Sequence, residues 1–127
     1  MSEFVFLFRI NDADQRAALG TPEQAQRSME MWLAWIRGLE AGGHLKSRGE
    51  PLERNGKVVR GPRSKAIITD GPYAETKDVV AGFLVIRARD EQEAVQIALS
   101  CPILAGDGVV EVRPIMAAPE LRAPLSQ

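Results

Sequence analysis

Apolar residues fall in a few short, dense runs along this chain, separated by polar stretches that carry helix caps and turn formers. Phe4 to Phe8 is a continuous apolar run, too short for a free-standing helix, and predicts a strand buried on both faces. Asn11 to Gly20 is polar and mixed and predicts a loop with a helical turn. Thr21-Pro22-Glu23-Gln24 then announces a helix: Thr21 can cap it, Pro22 suits its first position, and Gln24 can close a capping box. Gly42-Gly43 should end that helix near Ala41. Within it Ala25, Met29, Trp32, Leu33, Ile36 and Leu39 recur at helical spacing, and Met31 and Trp35 widen the stripe. A stripe this wide predicts two contacts, one with a sheet and one with a second subunit.

His44 to Ser47 predicts a short strand, and Arg54-Asn55-Gly56-Lys57 predicts a hairpin, because Asn-Gly suits a type I′ turn. Lys57 to Arg60 and Lys65 to Thr69 are strand pieces interrupted by Gly61-Pro62. Val79 to Ala88 is the strongest strand after the first, with Phe83, Leu84, Val85 and Ile86 all apolar. Asp90-Glu91-Gln92-Glu93 caps a helix through Ser100 whose buried face is Ala94, Ile97 and Ala98. Cys101-Pro102 ends that helix, since a residue before proline avoids the α region. Val109 to Val112 is the last core strand, and Pro114 marks its edge or end. The order β-α-β-(hairpin)-β-α-β is the ferredoxin-like α+β pattern: two βαβ halves in one antiparallel sheet, both helices on one face. Poor alternation along the strong strands calls for cover on the other face. A second copy of the same sheet would supply it, giving a dimeric α+β barrel. Residues 1–116 should form a single domain and 117–127 a loosely ordered tail.

Charge narrows the choice of partner. Sixteen basic against 17 acidic residues give a net charge of −1, which is no footprint for direct nucleic-acid binding. The basic stretch Arg54, Lys57, Arg60, Arg63 and Lys65 reads as a solvated hairpin. No basic leader and no apolar run near the ~20 residues of a membrane span are present, so a cytoplasmic protein with no membrane partner is expected. Cys101 is the single cysteine and His44 the single histidine, far apart in sequence. No disulfide can form within the chain, and no metal-ligand spacing exists. Gly106-Asp107-Gly108 precedes a strand, whereas a phosphate loop opens a helix, so no cofactor is expected. His44 follows a helix C-terminus, where a capping role fits, and Cys101 reads as a buried structural thiol.

The densest chemistry lies in Asp70-Gly71-Pro72-Tyr73-Ala74-Glu75-Thr76-Lys77. Asp-Gly-Pro makes a turn. As a ligand site, Asp70 can act as a base, Lys77 can hold an anion, and Tyr73 or Thr76 can bond a ligand. As a turn alone, Asp70 caps local N–H groups and Glu75 pairs with Lys77. Gly71, Pro72, Trp32 and His44 complete the set of ligand-lining candidates. The octet resembles the signature of the YCII-related family, in its DGPF branch, with Tyr73 in place of the usual Phe. Residues 49–52, 55–59 and 110–115 resemble other recurrent segments of that family. The resemblance implies a ferredoxin-like fold dimerising as an α+β barrel. Some relatives carry this domain fused to a sigma-factor-like segment, which implies a protein partner in transcription initiation as one alternative. Many carry a His on the first helix and an Asp near the end of the second, for which acid–base catalysis has been proposed. Trp32 and Cys101 stand at those positions here. Indole has no titratable group near neutral pH, so the His–Asp mechanism does not carry over. The expectation is a homodimer that binds a small molecule or serves as an accessory module, with no assigned reaction. The enzymatic alternative places Asp70, Tyr73 and Lys77 in a barrel cleft.

Overall fold

Strand β1 (Ser2–Asn11) alternates in burial: Phe4, Phe6 and Phe8 are buried, while Val5 and Leu7 are half-buried. The computed structural model describes residues 1–72 and 78–117. Burial on both faces, expected for this strand, is not met within one protomer. The pleat sends successive side chains to opposite faces, and helices cover only one of them.

Asn11 then caps α1 (Asp12–Leu19), its Oδ1 accepting the Asp14 N–H at 2.7 Å. The expected loop is therefore a helix. Its signal was the cap together with Asp12 and Asp14 in the first turn, where carboxylates suit the helix dipole. Helix α2 (Pro22–Ala41) has the anticipated capping box, with Thr21 and Gln24 satisfying each other's N–H groups. Its inner face sets Trp32, Trp35, Ile36 and Leu39 on the sheet, whereas Met29 and Met31 point to solvent. Trp32 meets Phe8 edge-on at 4.9 Å, and Trp35 stacks on Phe6 at 6.4 Å. Such aromatic pairs contribute beyond their buried area.

Strand β2 (Leu45–Pro51) begins one residue after His44. The Asn-Gly pair does not form the tip of the hairpin. Gly56 opens β3 (Gly56–Arg60) and faces Gly71 at the end of β4 (Ile67–Gly71), so the reversal falls at residues 61–66, through a 3₁₀ turn at Arg63–Lys65. Strand β5 (Asp78–Ala88) buries Leu84, Ile86 and Ala88 and leaves Phe83 and Val85 half-buried. Helix α3 (Glu91–Ala98) is capped by Asp90, which accepts the Glu93 N–H at 2.9 Å, and buries Ala94 and Ala98. Strand β6 (Val109–Pro114) closes the fold on a sheet edge, with Pro114 as its last residue.

The main sheet runs β2-β5-β1-β6, every pair antiparallel, and β3–β4 form a separate ribbon. Helices α2 and α3 pack on the same aromatic and aliphatic cluster. This is a ferredoxin-like α+β fold with a hairpin inserted between β2 and β5. The opposite sheet face carries Val5, Leu7, Phe83 and Val85, paired across β1 and β5. The tail beyond residue 117 lies outside the described residues.

Two glycines bear opposite loads. Gly49 sits in β2 at φ +61°, and an added Cβ would fall on the Phe83 carbonyl. Gly38 lies in α2 with nothing within 4 Å of such an atom. Gly49→Ala should lower the denaturation midpoint sharply through lost β2–β5 pairing, whereas Gly38→Ala should stabilise by about 0.5–1 kcal/mol, as Gly-to-Ala does in a helix interior. Urea melts of the two variants check both signs.

Candidate functional site

At the end of β1 the chain gathers charge. Arg9 projects from the open sheet face, where its Nη2 lies 2.8 Å from Asp78 Oδ1 and its Nε donates to the same oxygen at 3.0 Å. Its Nη1 reaches Glu111 Oε1 at 3.3 Å. One side chain on β1 thus ties β5 on one flank to β6 on the other. The hydrogen bond it donates to Asp78, and then the charge of Asp78, hold the guanidinium above its ordinary pKa, with Glu111 adding to the effect. All three side chains keep contact with solvent.

A second polar group lies beside the first. Asp14 Oδ2 accepts from Asn11 Nδ2 at 3.3 Å and from the Asp107 N–H at 2.8 Å. Asp12 holds Arg16 at 2.6 Å and Arg54 at 3.8 Å. Arg54 Nη1 is buried without a hydrogen-bond partner.

Asp78 directly follows the octet in sequence, and of the octet Asp70, Gly71 and Pro72 are described. Asp70 is the penultimate residue of β4 and exposed, and its carboxylate pairs with Lys57 directly across the ribbon. Exposed pairs of this kind contribute roughly 0–1 kcal/mol. Gly71 and Pro72 follow, half-buried and joined by a cis peptide bond. Tyr73, Glu75, Thr76 and Lys77 lie outside the described residues.

The remaining candidates do not converge on this end within one protomer. Trp32 is packed on Phe8 between α2 and the sheet, on the face opposite Arg9. His44 extends β2, its carbonyl accepting the Arg87 N–H at 2.7 Å and its ring Nδ1 lying 2.9 Å from the Arg87 carbonyl. Arg87 and Asp78 are separated by the length of β5, on the order of 30 Å at a strand's rise per residue. His44 therefore helps to tie down the far end of the sheet. Arg9, Asp78 and Glu111 escaped the sequence reading because each is a single charge in or beside an apolar strand, far from the others in sequence. Only the register β5-β1-β6 brings them together. Their one signal was a charge interrupting each apolar run.

Cys101 is buried, and desolvation pushes its thiol up to about 12, outweighing a hydrogen bond from the Ile103 backbone that acts the other way. Trp35 Nε1 donates to Ser100 Oγ at 2.8 Å beside it. Trp32 and Cys101 both serve packing. No group of three or more His, Cys, Asp or Glu among the described residues is placed to hold a metal. No helix among them is long and apolar enough to cross a membrane.

These features define a ferredoxin-like domain with a polar cluster on its open sheet face. The sequence model of the YCII-related domain matches residues 3–119, nearly the whole chain. The chain belongs to the YCII-related domain family. No curated protein matches it.

The thiol gives a signed pH dependence. Below the ordinary thiol value of 9.0 both folded and unfolded chains keep the proton, so Cys101 adds no slope. Between that value and about 12 only the unfolded chain releases it, so stability falls as pH rises through this window. Alkaline denaturation curves should show the slope in the wild type and lose it in Cys101→Ala. Thiol labelling of the folded protein at neutral pH should be slow.

Proposed function

We propose that this protein is a homodimeric small-ligand-binding or accessory module of the cytoplasm, its protomers joined through their open sheet faces. The observation that carries this reading is the composition of that face. Val5, Leu7, Phe83 and Val85 form an apolar centre that none of the described helices covers. Charged pairs rim it: Glu3 with Lys46 at 2.7 Å at one end, and Arg9 with Asp78 and Glu111 at the other. An apolar centre with a polar rim is the anatomy of a protein–protein interface. A C2 pair of such sheets closes into a barrel and covers both centres at once.

The polar end supports the ligand reading. Arg9, Asp78 and Glu111 together carry one more negative than positive charge. Closing the barrel would remove water from around them, and an uncompensated charge becomes costly as water leaves. A small molecule bearing an amine or guanidine group supplies the missing positive charge. Asp70, Gly71 and Pro72, a few residues before Asp78 in the chain, would then stand at the entrance of the cleft.

Sedimentation velocity should give a dimer at micromolar concentration. Val85→Asp should be monomeric there with its circular dichroism spectrum unchanged, and a monomeric wild type refutes the dimer. A thermal-shift screen comparing small amines with small carboxylates tests the ligand class. Amines should raise the melting temperature of the wild type, and Glu111→Gln should abolish that rise. A screen in which carboxylates stabilise and amines do not would overturn the assignment.

A further inference from the structure

The β3–β4 ribbon is built unlike a surface loop. Val59 and Ile68 stand directly opposite each other and are 67% and 66% exposed, and Ile67 beside them is 58% exposed. No helix or main-sheet strand packs extensively on the ribbon. An isolated two-stranded hairpin is marginal in water, and an apolar cross-strand pair gains little until something covers it.

Charge points to what covers it. Residues 56–71 carry Lys57, Arg60, Arg63 and Lys65 against Asp70, a net of +3 in a chain of net −1, so the rest of the molecule stands at −4. The ribbon is a basic, apolar element attached to an acidic body. It leaves the chain between β2 and β5, two strands of the open sheet. That sheet, four strands wide with strands of 6 to 11 residues, offers a flat footprint of roughly 540 Å² per protomer. A standard interface takes about 800 Å² per partner. The sheet face alone falls short, and an arm rooted beside it can supply the difference.

We infer that the β3–β4 ribbon is an arm that clasps a second copy of this chain, laying its Val59–Ile68 face on the partner's body with Arg63 and Lys65 among its carboxylates. This rests on the dimer proposed above. Two-fold symmetry makes the clasp reciprocal, so each protomer gives one arm and receives one. A nucleic acid would also attract the basic residues, but it offers no cover for the aliphatic pair Val59 and Ile68.

The test uses the full chain in sedimentation equilibrium. Ile68→Asp should weaken the dimer about tenfold or more, the loss expected for one buried aliphatic side chain per arm. Its helical circular dichroism should be unchanged, because the arm stands off the core. Val59→Thr/Ile68→Thr, which keeps β-branched residues, should weaken the dimer in the same direction if the aspartate disrupts the ribbon itself. Arg63→Glu/Lys65→Glu should make dimerisation weaker at low salt and less salt-dependent. Lysine cross-linking of mixed light and heavy-isotope protein should join Lys65 of one copy to the other copy. A wild-type dimer unaffected by all of these variants overturns the arm and leaves the sheet-face dimer standing. A wild type that stays monomeric removes both. A duplex oligonucleotide that binds the wild type, and not Arg63→Glu/Lys65→Glu, while the dimer is unaffected would give the arm to nucleic acid instead.

Discussion

The alternation of β1 governs the rest of the molecule. Phe4, Phe6 and Phe8 fill one face of the central strand, and each is seated against an element brought in from elsewhere in the chain. Trp32 and Trp35 of α2 meet these rings, while Ile86 and Leu84 of β5 stand beside Phe4 and Phe6 in register. A slip of one residue would turn all three rings outward and bring Val5, Leu7 and Arg9 into the core. An arginine there would be unpaired and desolvated, which is far costlier than any local propensity. The inner rings and the outer charge therefore enforce the same register. That register also brings Arg9 to Asp78 and Glu111.

The elements legible in the sequence were those whose signal is local. The Thr21–Gln24 capping box, the Asp90 cap and the long β5 run each depend on residues within a few positions of one another, and they fall where expected. The misreadings arose where tertiary structure decides. Asn55-Gly56 has the composition of a turn, yet Gly56 pairs with Gly71 and the chain reverses five residues later, where Gly61-Pro62 interrupts the strand. Residues 11–20 were too polar to announce a helix by apolar periodicity, but their cap and first-turn carboxylates suffice to form one. The candidate site was half legible. The octet precedes Asp78 in the chain, and only that adjacency links it to the Arg9 cluster. Arg9 and Glu111 are separated from it by most of the chain and become neighbours only through strand order.

Fold and chemistry separate in this member of the family. The YCII-related fold is held by packing that needs no titratable group, and Trp32 and Cys101 contribute to that packing. An indole set edge-on to Phe8 and a thiol kept protonated by burial both favour a dry, rigid helix–sheet layer. Acid–base work needs groups whose proton can move near neutral pH and reach a substrate. Neither residue meets that requirement. Family membership thus carries the architecture across to this chain, and a reaction has to be argued from the site itself.

The open face makes opposite demands at its centre and its rim. Covering Val5, Leu7, Phe83 and Val85 gains free energy with area, at about 25 cal/mol per Å² of apolar surface. Covering the Arg9 cluster gains nothing unless every charge keeps a partner. Arg9 meets this in part by bridging two carboxylates, which also locks β5 and β6 to β1 before any partner arrives. One negative charge is left over. A partner surface of pure hydrocarbon would bury that charge at a loss, whereas a twin sheet that leaves a cleft at the charged end would not. In the proposed dimer, the same asymmetry would leave an aqueous or ligand-filled space beside Arg9.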